Sequence, residues 1–390
     1  MKTVCNSLFE GVFIVGAGQA EYAKRSPKTV HQLLFEAADA ALRSAGLPWS
    51  KVDGLAATSF LLPPDNVTTL AEHFGLEARF LFQGVYGGAS GIIGMTHAAR
   101  AIRDGDADVV VCFAADAFDP ASHNETLDRF NGPVHEYMSP QGFGGANGMF
   151  ALQTRLYMER WGATREDFGR FCVALRENAL ANPNALFKAP LTLDDYLNAR
   201  PIADPLRLYD CVLPCVGGDC IVLASERTAA QLNGPKIRIA ASGERHNSPV
   251  DGIYSLSAGW ARFSSDMYER AGVTPDQMDF AQLYDDYPVM AFIQLEGLGI
   301  CEQGAASRFI RDTDITWRGR FPINTGGGQL SAGQAGASGG MIGMVEAVLQ
   351  LRGEAGDRQI RCRRGLVSGY GMVAYGRGLS ASAAILELVE

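Results

Sequence analysis

Two glycine-rich stretches, GASGIIGM from Gly88 to Met95 and GASGGMIGM from Gly336 to Met344, can do chemistry with backbone alone. Each stands where a helical pattern begins. The first turn of a helix leaves N–H groups without intrahelical partners at the positive end of the macrodipole. Two such starts brought to one point would hold an oxyanion. The same glycines would equally serve close helix packing with no ligand, and on the repeat alone both readings stay open.

Cys211, Cys215 and Cys220 in YDCVLPCVGGDCIVLAS invite a metal reading. Their spacings match no common zinc knuckle, no His lies near, and the following IVLA reads as a buried strand. Core cysteines and no metal are expected.

Composition bounds the rest. Lys plus Arg number 34 against 43 Asp plus Glu, a formal charge of −9, and no basic block is present to recruit nucleic acid or an anionic membrane. The opening MKTVCNSLFEGVFIVGAG lacks the pattern of an export signal, no window approaches the apolar length of a membrane helix, and eight cysteines are scattered. A reducing cytoplasm is the expectation.

The elements that must position these groups read as alternating short apolar runs and longer helical patterns: GVFIVGAG, TVHQLLFEAADAALRSAG, VDGLAATSF, then ADVVVCFAAD. That alternation predicts a layered α/β fold with strands covered on both faces. KIRIAASGE, DMYERAGVTPDQMDFAQLYD and GLVSGYGMVAYGRGLSASAAILELV repeat the theme. Residues 119–208 read as a mostly helical cap inserted between 1–118 plus 209–232, one half, and 233–390, the other. Both glycine-rich stretches continue as a helix ending in Arg and then a strand, so the chain carries an internal duplication. IIGM and MIGM are apolar all round, which predicts helices buried on every side.

At MERWGATREDFGRFCVALRENALANP, YDCVLPCVGGDCIVLAS, QLYDDYPVMAFIQLEGLGICEQG, PINTGGGQLSAGQAGASGGMIGMVEAVLQLRG and SGYGMVAYG the chain resembles the thiolase superfamily, in its sterol carrier protein type branch and that branch's lyase relatives. The resemblance runs over essentially the whole chain. It implies a duplicated five-layer αβαβα fold, a homodimer, and a site between the halves that accepts a coenzyme A thioester as substrate, with no bound cofactor.

Against that pattern the departures are informative. The family's nucleophilic Cys position holds Gly88; its Gly-His-Pro motif reads Gly333-Gln334-Ala335; its closing Cys-x-Gly reads Gly369-Tyr370-Gly371; its Asn-Glu-Ala-Phe or His-Asp-Cys-Phe position reads Tyr284-Asp285-Asp286-Tyr287. An amide such as Gln334 donates a hydrogen bond but takes no proton near neutrality. Acyl transfer needs an activated nucleophile, and neither aligned position has a Cys; Ser90 is a weak substitute with no His partner in sequence.

What survives is apparatus for a thioester enolate, the product of breaking a carbon–carbon bond in a β-hydroxyacyl-CoA. The resemblance places Gly88, Ser90, Tyr86, Asn324, Gln334 and Gly371 at oxyanion or substrate-binding positions, and Tyr284, Tyr370 and Asp285 at catalytic ones. Cleavage asks for a base at the hydroxyl and an acid at the departing carbanion. This matches the Cys-less thiolase-like aldolases, which by resemblance work with a small OB-fold and zinc-ribbon partner. No Lys lies in the YDDY, GQAG or GYG segments, so no Schiff base is expected. Steroid side chain, aromatic acid and branched alkyl all remain open as the acyl group. The alternatives are a thiolase-type acyltransferase on a β-ketoacyl-CoA and a non-catalytic acyl-CoA-binding subunit. Asp286 reads as a loop carboxylate paired with a nearby arginine, Tyr86 and Tyr287 as pocket walls, His97 as a packing residue, and one of His123 and His135 as lining the substrate tunnel.

Overall fold

The computed structural model describes residues 9–128, 131–143, 145–250 and 255–389. The first half runs through β1 (Val12–Ala23), α1 (Val30–Ala45), β2 (Gly54–Thr58), α2 (Val67–His73), β3 (Phe80–Gln83), α3 (Ser90–Arg103) and β4 (Val109–Ala117). Four helices follow, α4 (Pro120–Asp128), α5 (Gly145–Trp161), α6 (Arg165–Leu180) and α7 (Leu193–Leu197). A small hairpin of β5 (Pro201–Ala203) and β6 (Leu206–Arg207) leads to β7 (Val216–Ser225) and α8 (Glu226–Ala229). The second half holds β8 (Lys236–His246), α9 (Ser264–Ala271), β9 (Phe280–Gln282), α10 (Pro288–Gly297), α11 (Ala306–Asp312), α12 (Gly328–Ala332), α13 (Ile342–Arg352), β10 (Arg364–Ala374) and β11 (Arg377–Val389).

Among the described residues the main sheet has the order β3-β2-β4-β7-β1-β8-β11-β10-β9. That order carries the duplication. Read inward from the opposite edge, β9-β10-β11-β8 repeats β2-β4-β7-β1, with the outer pair parallel in each set and the remaining pairs antiparallel. The two sets meet where Phe13 pairs with Arg238 and Ile14 with Ile237, antiparallel as a two-fold relation requires.

Helices α3 and α13 lie between the sets, α3 touching β2, β3 and β4 on one side and β10 and β11 on the other, α13 touching β9 and β10 as well as β1 and β7. Their all-round apolar sequences are therefore buried on both sides, from Ile92, Ile93 and Met95 to Met344, Val345 and Val348. Helix α1 covers the first set from outside and α9 the second, which completes five layers αβαβα. The periodicity of α1 explains its seat: Leu33, Leu34, Ala37, Ala38, Ala41 and Leu42 form one buried stripe between a Thr29–Gln32 capping box and a left-handed Gly46. Gly18 lets the α1 backbone lie directly on β1, since a Cβ there would stand 2.6 Å from the Ala40 carbonyl carbon.

The helical stretch packs on the second half, where Phe168 and Phe171 bracket Phe292 of α10 at 4.8 and 6.2 Å between ring centroids. Cys215 and Cys220 are buried and Cys211 is half-buried. No helix of the described residues is long and apolar enough to cross a membrane.

Candidate active site

The two glycine-rich stretches meet. Gly88 and Gly340 are in backbone contact, since a Cβ on Gly340 would lie 2.6 Å from the Gly88 carbonyl oxygen, and a Cβ on Gly91 would lie 2.5 Å from that of Gly340. Two buried carboxylates hold this junction from behind. Asp116 accepts from the Ala337 N–H at 2.7 Å, the Leu61 N–H at 2.9 Å and the Ser59 hydroxyl at 2.7 Å. Asp219 accepts from the hydroxyls of Ser338 and Tyr22 and from the Gln19 amide. Burial pushes both carboxyls up to about 6 against the hydrogen bonds that favour their ionised forms. Sequence reasoning missed this pair, although a lone Asp inside each apolar run, VVVCFAADA and VGGDCIVLAS, was the available signal.

In front of the junction opens a partly open cavity with mostly apolar walls. Gly87, Gly88 and Gly371 form part of its wall, and Tyr284, Asp286, Gln334 and Tyr370 bring its polar groups. The rest is apolar: Phe60, Phe118, Met149, Phe150 and Tyr287, with His123 from α4. Tyr287 is fixed by a 2.6 Å hydrogen bond from its hydroxyl to Asn147 and by stacking on Phe150 at 4.1 Å, so the inserted helices wall the cavity.

Tyr284 follows β9 and is locked by its backbone, whose N–H donates to Gln294 at 3.0 Å and whose carbonyl accepts from the same amide at 2.6 Å. Its ring occupies the space that a side chain at position 88 would need; a Cβ built on Gly88 would overlap Cε2 and Cζ of Tyr284. Burial raises the Tyr284 phenol well above its ordinary range, the negative charges of Asp286 and Asp285 add to this, and the amides of Gln334 and Gln329 oppose it. It therefore stays protonated, a donor. Tyr370 is raised too, by burial first and Asp286 next. Its ring stacks on Trp260 at 5.3 Å and its oxygen accepts the Gly378 N–H across the β10–β11 hairpin. Gln334 carries one amide oxygen that is buried with no hydrogen-bond partner, on the cavity wall. That oxygen is an acceptor open to a hydrogen bond from water or from a bound molecule.

Four residues expected at the site stand elsewhere. Asp285 accepts from the Gln329 N–H at 2.8 Å and the Leu330 N–H at 3.3 Å, capping α12, and faces a second, polar cavity behind Tyr284. Asn324, at φ 49°, clamps the Leu283 peptide with both ends of its amide, at 2.6 and 3.0 Å. Ser90 accepts the Tyr86 N–H at 2.8 Å and is buried beside β2, off the cavity. The Tyr86 ring turns toward His246, 5.8 Å away, and does not line the cavity. For Asp285, Asn324 and Ser90 a backbone group nearer in space takes the side chain.

Asp286 also departs from expectation. It lines the cavity, is 7% exposed, and no arginine or lysine of the described residues pairs with it; its hydrogen bond is from the Tyr287 N–H at 3.0 Å. His123 lines the cavity and His135 is exposed, while His97 stacks on Phe82 at 4.6 Å as a packing residue. Away from the site, His31, Asp65 and His73 offer ligand atoms within 4.8 Å of one another at the surface, where His31 and Asp65 already share a 2.9 Å hydrogen bond.

Residues 245–387 match the thiolase C-terminal domain-like family. The chain is 34% identical over 362 residues to a steroid side-chain-cleaving aldolase of Thermomonospora curvata, covering 87% of this chain and 90% of that one. It is 35% identical to the 17-hydroxy-3-oxo-4-pregnene-20-carboxyl-CoA lyase of Mycobacterium tuberculosis, over 87% and 91%. The chain belongs to the thiolase-like aldolases. Among solved structures it superposes on the Ltp2-ChsH2(DUF35) aldolase with a TM-score of 0.83 and 32% identity, over 97% of this chain and 98% of that one. The human mitochondrial 3-ketoacyl-CoA thiolase shares the fold at a TM-score of 0.70 and 16% identity, over 98% and 100%. For a thiolase-like aldolase the exchange at position 88 makes physical sense: the phenol of Tyr284 fills the space beside the glycine-rich junction.

Proposed function

We propose that this chain is a retro-aldolase that cleaves a bulky, branched β-hydroxyacyl-CoA into a ketone or aldehyde and a shorter acyl-CoA. One observation carries the reading: the Tyr284 ring fills the space at Gly88, so no side chain at that position can attack a thioester, while a phenolic O–H stands at the cavity wall instead. Acyl transfer through position 88 is closed, and stabilisation of a thioester enolate remains.

In this reading the thioester oxygen takes hydrogen bonds from the Tyr284 hydroxyl and from the second N–H of the Gln334 amide nitrogen, whose first N–H donates to Gln329 at 3.1 Å. Tyr370 supplies a second protonated phenol. Gly88 and Gly371 let substrate approach the backbone, and Asp285, Asn324, Ser90 and Tyr86 set the frame. Segment 119–208 acts as the cap between the halves 1–118 plus 209–232 and 233–390. The apolar walls suit a fused-ring or branched acyl group, and the names of the two relatives favour a steroid side chain. Assembly as a homodimer with a small OB-fold and zinc-ribbon partner, in the cytoplasm and without a bound cofactor, completes the proposal; the two-component name of the superposed aldolase supports a partner.

The test is incubation with 17-hydroxy-3-oxo-4-pregnene-20-carboxyl-CoA, whose C17 hydroxyl is β to the thioester. The 17-ketone and propanoyl-CoA are expected in equal amounts with no consumption of free CoA. CoA-dependent thiolysis of a β-ketoacyl-CoA in its place would restore the acyltransferase reading.

A further inference from the structure

Cleavage needs a proton acceptor at the β-hydroxyl, and the cavity wall contains few titratable groups. Among the described residues these are His123, Tyr284, Asp286, Tyr287 and Tyr370. The three phenols are held protonated by burial, and Tyr287 already donates to Asn147. His123 is held neutral, drawn down to about 4 by burial, which makes it a weak acceptor. Asp286 remains.

Its surroundings are those of a base. Asp286 follows Tyr284 by two positions and lines the same cavity as the rings of Tyr284, Tyr287 and Tyr370. Asp285 is the one charged neighbour that shifts it, and that charge is negative. One carboxylate oxygen accepts the Tyr287 N–H, and among the described residues no hydrogen bond is found on the other. Burial first, and Asp285 next, hold the carboxyl well above its ordinary range, so that its ionised form is a stronger base than a solvent-exposed carboxylate.

We propose that Asp286 is the catalytic base, taking the proton of the substrate's β-hydroxyl and later returning it to Cα. The step balances without a co-reactant. The O–H electron pair becomes the new carbonyl π bond, the Cα–Cβ pair passes into the thioester enolate, and the proton rests on Asp286. Delivery of that proton to Cα gives the shorter acyl-CoA and restores the carboxylate. This inference rests on the retro-aldolase reading and deepens it.

The experiment uses the full chain, co-produced with its small partner, and 17-hydroxy-3-oxo-4-pregnene-20-carboxyl-CoA. Asp286→Asn keeps an acceptor for the Tyr287 N–H, so folding is retained; near-UV circular dichroism and propanoyl-CoA affinity check this. The expected result is a fall in kcat of about 10²- to 10⁴-fold with KM little changed. Asp286→Ala is expected to regain activity with added formate, a rescue that a merely structural role would not give. Cleavage by the unaltered protein together with an Asp286→Asn rate within threefold of it overturns the role of Asp286 and leaves the retro-aldolase reading standing. No cleavage by the unaltered protein overturns both.

Discussion

Tyr284 and Gly88 exclude one another's side chains: the ring of the first lies where the Cβ of any larger residue at the second would stand. The two come from opposite halves of the duplicated fold and meet at the junction of the buried helices. A side chain at position 88 and the phenol of Tyr284 are thus sterically exclusive alternatives.

Replacing Gly88 by Ala or Cys should displace the Tyr284 ring and cost about 1–3 kcal/mol of stability, as overpacking of a filled core does. Chemical denaturation reads the loss. Gly88→Cys should gain no thiolase activity, and adding Tyr284→Ala should relieve the clash, leaving a coupling of about 0.5–3 kcal/mol in the double-mutant cycle. Additive effects would place the ring elsewhere.

Tyr284→Phe keeps the ring and removes the donor. A drop in kcat of about 10²- to 10³-fold is expected, the usual loss for one oxyanion donor, with the thermal midpoint close to that of the unaltered chain. An unchanged kcat would remove Tyr284 from the chemistry.

Asp285 is expected to act through α12. Asp285→Ala strands the buried N–H groups of Gln329 and Leu330, each worth about 1–3 kcal/mol when unsatisfied, whereas Asp285→Asn keeps an acceptor and should be milder. Denaturant midpoints of the two variants should fall in that order.

The carboxyl of Asp219, pushed up to about 6 in the folded chain against about 3.9 when unfolded, makes the folded state bind more protons between those values. Its contribution is therefore fully present below about pH 4 and is lost as pH rises toward 6. Thermal midpoints of the unaltered chain and Asp219→Asn, compared from pH 4 to 7, should show the unaltered chain's relative advantage shrinking over that window and then levelling. A gap that widens with pH would mean that the ionised form is the one the fold favours.

Much of the fold was legible because its causes are local. Apolar character on every side of IIGM and MIGM can be satisfied only between two sheets, and α3 and α13 lie there. The repeated glycine-rich starts announced a duplication that the strand order carries. The departures from the family's motifs at Gly88, Gln334 and Tyr370 were likewise readable, because each sits inside a recognisable stretch.

What the tertiary structure alone decided is where neighbouring side chains point. Asp285 and Asp286 are adjacent and chemically identical, yet one caps α12 and the other lines the cavity, because the turn after β9 sends successive side chains to opposite sides of Tyr284. Ser90 and Asn324 carry polar groups suited to a ligand, and nearby backbone amides claim them first. Residue type and spacing determine which chemistry is available; only the folded backbone decides which of two equivalent carboxylates lines the cavity.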